Sequence, residues 1–279
     1  MKLRECLILA ALMFGSHAHA AEGPGANAGE AANSSVQSAE QAAGKAAEEA
    51  RHATRKAAES AKNVTLVVAP PAIFLRDLRA RYKGKRVAFA IQQASAEGSG
   101  AYTGDISLLQ AKDAGAQYVI VGHSEQRAKG ETNEAAGKVV AAALISGLTP
   151  VLCVGERERS QNGEHFTVVK EQLRAAFADV EPSKVTKVLV AYEPVWAIGG
   201  EKTMNPRDMH EMTIFIRKTI VGMKGEAGMN VKILYGGATT ESNALPMLEE
   251  SGAQGFIVGH VSIDAFRFAA LLQAIGTAS

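Results

Sequence analysis

Seven short apolar runs, rich in β-branched residues, punctuate the chain after Asn63, and most lead quickly into a helix-length amphipathic stretch. They are Val64 to Ala69, Arg86 to Gln92, Gln117 to Gly122, Thr149 to Gly155, Val185 to Glu193, Val231 to Gly236 and Gly255 to Gly259. Parallel strands need a long crossover between them, so runs alternating with stretches such as Glu131 to Ile145 or Met204 to Ile220 predict βα units around a parallel sheet. Only the second run departs, with a Gly- and Ser-containing loop, Ala94 to Thr103, before its helix. Seven units fall one short of a closed barrel of this class. The residues alone therefore predict an α/β fold, an incomplete parallel barrel with its site on the loops at the strand ends.

What precedes Asn63 has a different texture. Lys2 and Arg4 give a charged start, Cys6 to Phe14 an apolar run, and Ala18-His19-Ala20 a small-residue pattern of the kind that precedes a cut. The first twenty residues thus read as a secretory leader, too short to span a membrane as a helix. If that leader is real the protein is exported, to a periplasm or the medium; otherwise it stays in the cytoplasm. Ala21 to Ser35 reads as a linker. From Val36 to Lys62 strong helix formers dominate, and Ala39, Ala43, Ala46, Ala50, Ala53 and Ala57 line one face. The expected organisation is a leader over 1–20, an Ala-rich linker and helix over 21–62, and the barrel over 63–279.

Composition removes several function classes. Hydrophobic residues make up 47% and charged residues 21%, with a formal net charge of +1. Acids and bases are interspersed along the chain, so neither a nucleic-acid partner nor, after leader cleavage, a membrane is expected. Cys6 and Cys153 are the only cysteines, and one lies in the leader, which leaves no disulfide framework. No His/Cys/Asp cluster has metal-ligand spacing and no dinucleotide fingerprint occurs, so neither metal nor cofactor is expected.

The strand ends carry the chemistry. Val119 to Glu125 delivers a histidine and a carboxylate at the end of one strand, and Ala191 to Gly200 delivers Glu193 followed by an apolar loop with the chain's single Trp. Tyr235-Gly236-Gly237 and Gly259-His260 end the last two strands with glycines, which let backbone N–H groups approach an anion without a Cβ in the way.

These segments resemble the triosephosphate isomerase family. GHSEQR at Gly122 to Arg127, AYEPVWAIG at Ala191 to Gly199 and LYGG at Leu234 to Gly237 match its characteristic motifs. VVAPP at Val67 to Pro71, GAYTGDIS at Gly100 to Ser107 and CVGE at Cys153 to Glu156 support them. The resemblance runs in family order from about Asn63 to Ala274. It implies a TIM-type (β/α) barrel and the interconversion of dihydroxyacetone phosphate and glyceraldehyde 3-phosphate. By that resemblance Glu193 is the catalytic base, His123 a neutral electrophile, and Glu125 a supporting carboxylate. Pro194, Val195, Trp196, Ala197, Ile198, Gly199, Gly200, Glu201 and Lys202 would form the lid. The N–H groups of Gly199, Ala238, Gly259 and His260 would hold the phosphate of the triose substrate. A homodimer is implied through the docking loop that ends near Thr103.

Some family features are missing. The family's first strand ends in Asn-x-Lys, and no such motif precedes Val64. Losing a preorganised cation at such a site is expected to cost at least ~3 kcal/mol of transition-state stabilisation. Gly-Thr-Gly-Lys in the lid has become Gly199-Gly200-Glu201-Lys202, Ala238 replaces a lid-binding serine, His260 a phosphate-loop glycine, and Gln126 an arginine. The resemblance therefore implies an isomerase of reduced rate. Its rivals are a phosphate-ligand-binding or interaction protein without turnover on the same barrel, and a chain whose barrel cannot close. An arm segment, a partner chain or the run Cys6 to Phe14 would have to fill the first-strand gap.

Overall fold

The computed structural model describes residues 6–11, 64–160, 162–198 and 203–276. Eight parallel strands close a barrel in chain order: β1 (Cys6–Ala11), β2 (Val64–Ala69), β3 (Val87–Ile91), β4 (Tyr118–Val121), β5 (Thr149–Val154), β6 (Leu189–Tyr192), β7 (Lys232–Tyr235) and β8 (Gly255–Val258). Described helices between and after them are α1 (Ala72–Arg81), α2 (Leu108–Asp113), α3 (Ser124–Ala128), α4 (Asn133–Ser146), α5 (Glu164–Phe177), α6 (Pro206–Lys224), α7 (Ala244–Glu250) and α8 (Ala265–Gly276). The seven predicted runs are β2 to β8.

The first strand, expected to be absent or replaced, is replaced by one of the three candidate segments. The apolar run read as a leader supplies β1, which pairs with β2 from Cys6↔Val64 to Ala11↔Ala69 and with β8 from Leu7↔Gly255 to Ala10↔Val258. Nine apolar residues satisfy a leader's hydrophobic segment and a buried strand equally well, and periodicity alone does not separate them. Closure also removes the rival of a barrel left open, since no strand keeps an unpaired edge. The Ala-rich arm, the leader's cut pattern and the residues between them lie outside the described residues.

Strand side chains alternate between two cores. Leu7, Leu9, Val67, Ala69, Val151, Cys153 and Leu234 belong to the cluster that fills the barrel. Ile8, Ala10, Phe89, Val154, Val190 and Phe256 face the other way, into the larger cluster beneath the helices. Period-two alternation with both faces buried explains why these strands read as continuous apolar runs. β1 is as deep as any: Ile8, Leu9 and Ala10 are completely buried. Burial also pushes the Cys6 thiol up to about 12, so it is a packed, protonated side chain.

Helix ends follow local chemistry. Ser107 accepts from the Gln110 amide while the Gln110 side chain accepts from the Ser107 amide, a reciprocal cap at the start of α2. Thr132 and Asn205 cap α4 and α6 in the same sense, and Pro206 opens α6 where its missing N–H costs nothing.

Candidate active site

The strands' C-terminal ends bring Glu193 and His123 together. Glu193 follows β6 and its side chain is 3% exposed. The backbone around it is held from both sides: the Glu193 amide donates to the Val154 carbonyl at 2.8 Å, and the Gly236 amide donates to the Tyr192 carbonyl at 2.8 Å. Two glycines make room for it. A Cβ on Gly155 would sit 1.8 Å from the Glu193 carbonyl oxygen, and one on Gly236 would sit 2.7 Å from the Glu193 Cγ. Gly155 is fixed in turn by Gln172 of α5, which accepts from its amide at 2.8 Å and donates to its carbonyl at 3.1 Å.

His123 ends β4 and caps α3. Its Nδ1 accepts from the Glu125 amide at 3.4 Å, and its Nε2 lies 3.3 Å from the Glu193 Oε1. An Nδ1 that accepts carries no proton, so the ring's hydrogen sits on Nε2 and points at the carboxylate. The other carboxylate oxygen, Oε2, accepts from the Ser124 amide at 3.0 Å. Both oxygens are therefore engaged in this state.

Beneath the pair lies a polar support. Arg127 donates to the Gly122 carbonyl at 2.7 Å, to the Cys153 carbonyl at 3.3 Å and to Asn133 Oδ1 at 2.6 Å, tying the ends of β4 and β5 to α4. Desolvation lowers the affinity of its guanidinium for the proton, and the negative charge of Glu131 opposes that. Burial raises the Glu131 carboxyl above its ordinary range, against the pull of Arg127. Cys153 is completely buried, and burial, with Glu193 close by, holds its thiol protonated.

Only the first part of the proposed lid, Pro194 to Ile198, is described; Gly199, Gly200, Glu201 and Lys202 lie outside the described residues. Glu156 anchors that part: its backbone carbonyl accepts from the Val195 amide at 3.0 Å and its Oε1 from the Trp196 indole at 2.8 Å. The Tyr192 hydroxyl reaches the same carboxylate at 2.8 Å, and Arg159 bonds that hydroxyl and Glu211. Glu156 is a buried acceptor that also pairs with Arg159, whose nitrogen lies 4.0 Å away. Past the lid, the Tyr235 hydroxyl faces the Met204 backbone, and burial raises its pKa to about 12.

The other expected positions stand on the same rim. Ala238 follows β7, and its carbonyl accepts from the Asn243 side chain at 2.9 Å. Gly259 and His260 follow β8, where Gly259 has open space around it and His260 is exposed. Glu125 is exposed and its side chain has no partner among the described residues. A cleft of about 500 Å³ opens between Glu193, Ser124, Glu156 and Val195, and a second of about 960 Å³ lies between the Gln92–Ile106 loop and Gln126, Lys129 and Glu131.

The family model for triosephosphate isomerase matches residues 32–275. The chain belongs to the triosephosphate isomerase family. Similar proteins include the triosephosphate isomerase of Endomicrobium trichonymphae, 39% identical over 75% of this chain and 84% of the relative. The triosephosphate isomerase of Xylella fastidiosa strain M12 is 38% identical over 75% of this chain and 85% of its own length. That of Roseiflexus sp. strain RS-1 is 40% identical over 73% and 81%. The match to the family model reaches further upstream than the motifs do, into the Ala-rich arm.

Sequence reasoning missed the supports around Glu193 and His123. Gln172 occupies a helix position with no motif around it, and Arg159 bridges to β6 and α6, far away in sequence. Gly155 carried a signal as a glycine at a strand end and as part of the CVGE stretch, but neither pointed to its close approach to Glu193.

Proposed function

We propose that this family member is a triosephosphate isomerase, interconverting dihydroxyacetone phosphate and glyceraldehyde 3-phosphate by proton transfer through Glu193. The observation that carries the reading is the 3.3 Å approach of His123 Nε2 to Glu193 Oε1 at the barrel mouth. A carboxylate base beside a neutral N–H donor suits an aldose–ketose shift. Glu193 removes a proton from the carbon next to the carbonyl and returns it to the neighbouring carbon. The His123 N–H meanwhile hydrogen-bonds the oxygen that gains negative charge in the enediolate. Neither metal nor redox group is required, because the reaction only relocates protons and a double bond.

Both Glu193 oxygens are occupied, so substrate must displace at least one contact before the base can act. Near-complete burial of the carboxylate raises its reactivity by excluding water, and closure of Pro194 to Lys202 would complete the exclusion. By the family resemblance the phosphate of the triose would face the N–H groups of Gly199, Ala238, Gly259 and His260, with its carbons entering between His123 and Glu193 once their contact opens. Glu125 supports the site through its amide, which fixes the His123 tautomer.

No Lys or Arg occurs between Arg4 and Lys45, so no such cation can follow β1 closely. The rate is accordingly reduced relative to a family member that keeps the lysine. A cut after Ala20 would remove a strand hydrogen-bonded on both sides, which supports retention of the first twenty residues and, with it, the cytoplasmic alternative to export. The larger cleft, beside the loop carrying the exposed Tyr102, supports a homodimer docking a second copy's loop there.

The test is an isomerisation assay on the full chain with Glu193→Gln as control. Turnover that falls by about 10²–10⁴ in the variant supports the assignment. A folded full chain that binds a phosphorylated triose analogue without turnover would replace it with the binding-protein reading.

A further inference from the structure

The chain leaves β7, β8 and β1 side by side at the barrel mouth, since β8 pairs with β7 through Tyr235↔Phe256 and with β1 from Leu7↔Gly255 to Ala10↔Val258. This arc of the mouth is poor in cations. The sequence has no Lys or Arg between Lys232 and Arg267, and none between Arg4 and Lys45. His260, directly after Gly259 at the end of β8, is the one basic side chain among the described residues of the loops that follow β7 and β8.

The turn that carries His260 is pinned from below. The Gly259 carbonyl accepts from the Ser262 amide at 2.8 Å and from the Ser262 hydroxyl at 2.6 Å. Val261 and Ser262 are buried, whereas His260 is exposed. Its ring has no hydrogen-bond or ion-pair partner among the described residues. The acid that follows it, Asp264, is engaged elsewhere: its Oδ1 accepts from the Phe266 and Arg267 amides at 3.0 and 3.1 Å. Glu241, on the loop after β7, forms no ion pair with His260. The imidazole is therefore uncommitted, on a turn whose neighbours hold it at the rim.

We infer that the His260 imidazole is a side-chain contact for the substrate's phosphate, recognising a phosphate monoester dianion. The inference rests on the isomerase reading above and adds a side chain to the amides proposed there. A phosphate monoester carries a charge of about −2 at neutral pH, and a charged donor bonds it roughly twice as strongly as a neutral one. An imidazole N–H can donate, and an anion beside the ring favours its charged form. No Lys or Arg on the loops after β7 and β8 competes for that role. The phosphate lies away from the carbons that exchange protons, so the contact holds ground state and transition state alike. Its loss falls on KM rather than on kcat.

The test compares the full-length native chain with His260→Gln, which keeps a polar side chain without charge, and His260→Lys, which restores a cation. Inorganic phosphate is titrated into each by calorimetry, and the isomerisation of dihydroxyacetone phosphate is assayed on the same samples. His260→Gln is expected to weaken phosphate binding and raise KM by about tenfold each, the loss of one charge-assisted hydrogen bond. His260→Lys should bind phosphate and substrate within a few-fold of the native chain. Unchanged phosphate affinity and KM in folded His260→Gln would overturn the inference. So would a His260→Lys protein as weak as His260→Gln, or a native chain that does not bind phosphate. Phosphate binding that depends on His260 in a chain without turnover would instead sink the isomerase reading and leave the phosphate contact standing.

Discussion

Gly155 and Glu193 are in such close backbone register that a methyl on the first would sit 1.8 Å from the carbonyl oxygen of the second. No rotamer relieves a clash between backbone atoms, so the two strands would have to part. Gly155→Ala is expected to lose about 1–3 kcal/mol of stability. It should also lower kcat about 100-fold through misplacement of the carboxylate. Thermal melts and steady-state assays on the same sample check both, and unchanged kcat would show that the seat of Glu193 does not depend on this approach.

Trp196 is the chain's only tryptophan, and its indole donates to Glu156 in this state. Removing that acceptor with Glu156→Ala leaves the indole and the Tyr192 hydroxyl without their shared partner. The unliganded lid should loosen, with an emission shift of Trp196 and a kcat/KM loss of about 5–30-fold, as for one or two buried hydrogen bonds. Fluorescence and kinetics identical to those of the native chain would sink this account of the lid's seat.

The Glu131 carboxyl titrates above its ordinary range because it is partly buried, and its Oε2 has no hydrogen-bond partner among the described residues. A raised folded-state pKa means that the protonated form is favoured in the native protein. Its stabilising contribution is full below the unfolded pKa, about 4.3, and is lost as pH rises through the raised value. Glu131→Gln should therefore raise the melting temperature at pH 8 and leave it almost unchanged at pH 4. An equal or lower melting temperature at pH 8 would mean that the attraction of Arg127 outweighs burial.

β1 is the strand on which sequence reasoning and structure part. A chain beginning at Ala21 should fail to melt cooperatively, whereas the full chain should give one sharp transition. Leu9→Asp in the full chain should destabilise it strongly, since the side chain is completely buried inside the barrel. A cooperative, equally stable protein starting at Ala21 would show that β1 is dispensable.

Much of this was legible beforehand because the informative residues sit where one element ends and another begins. Glu193 and His123 announce themselves as polar groups closing apolar runs, and the flanking Pro and Gly mark the turns. The runs β2 to β8 were legible because a buried parallel strand is short, apolar and bounded. β1 has the same composition, but its neighbours in sequence, two bases before and small residues after, match a leader as well as a strand. Pairing with β2 and β8 shows that the run serves as a strand, and pairing is a long-range property. Gln172 and Arg159 were invisible for the same reason: each acts through a partner that the fold supplies.

The seam between β1 and β8 also sets an order of events. Leu7 bonds Gln254 and lies against Gly255, so the first strand off the ribosome waits for nearly the last before its second edge is covered. Through synthesis of almost the whole chain, a stretch that is apolar on both faces stays available to any factor that binds such segments. A nascent chain of this design carries its first apolar strand uncovered along one edge until β8 has been made.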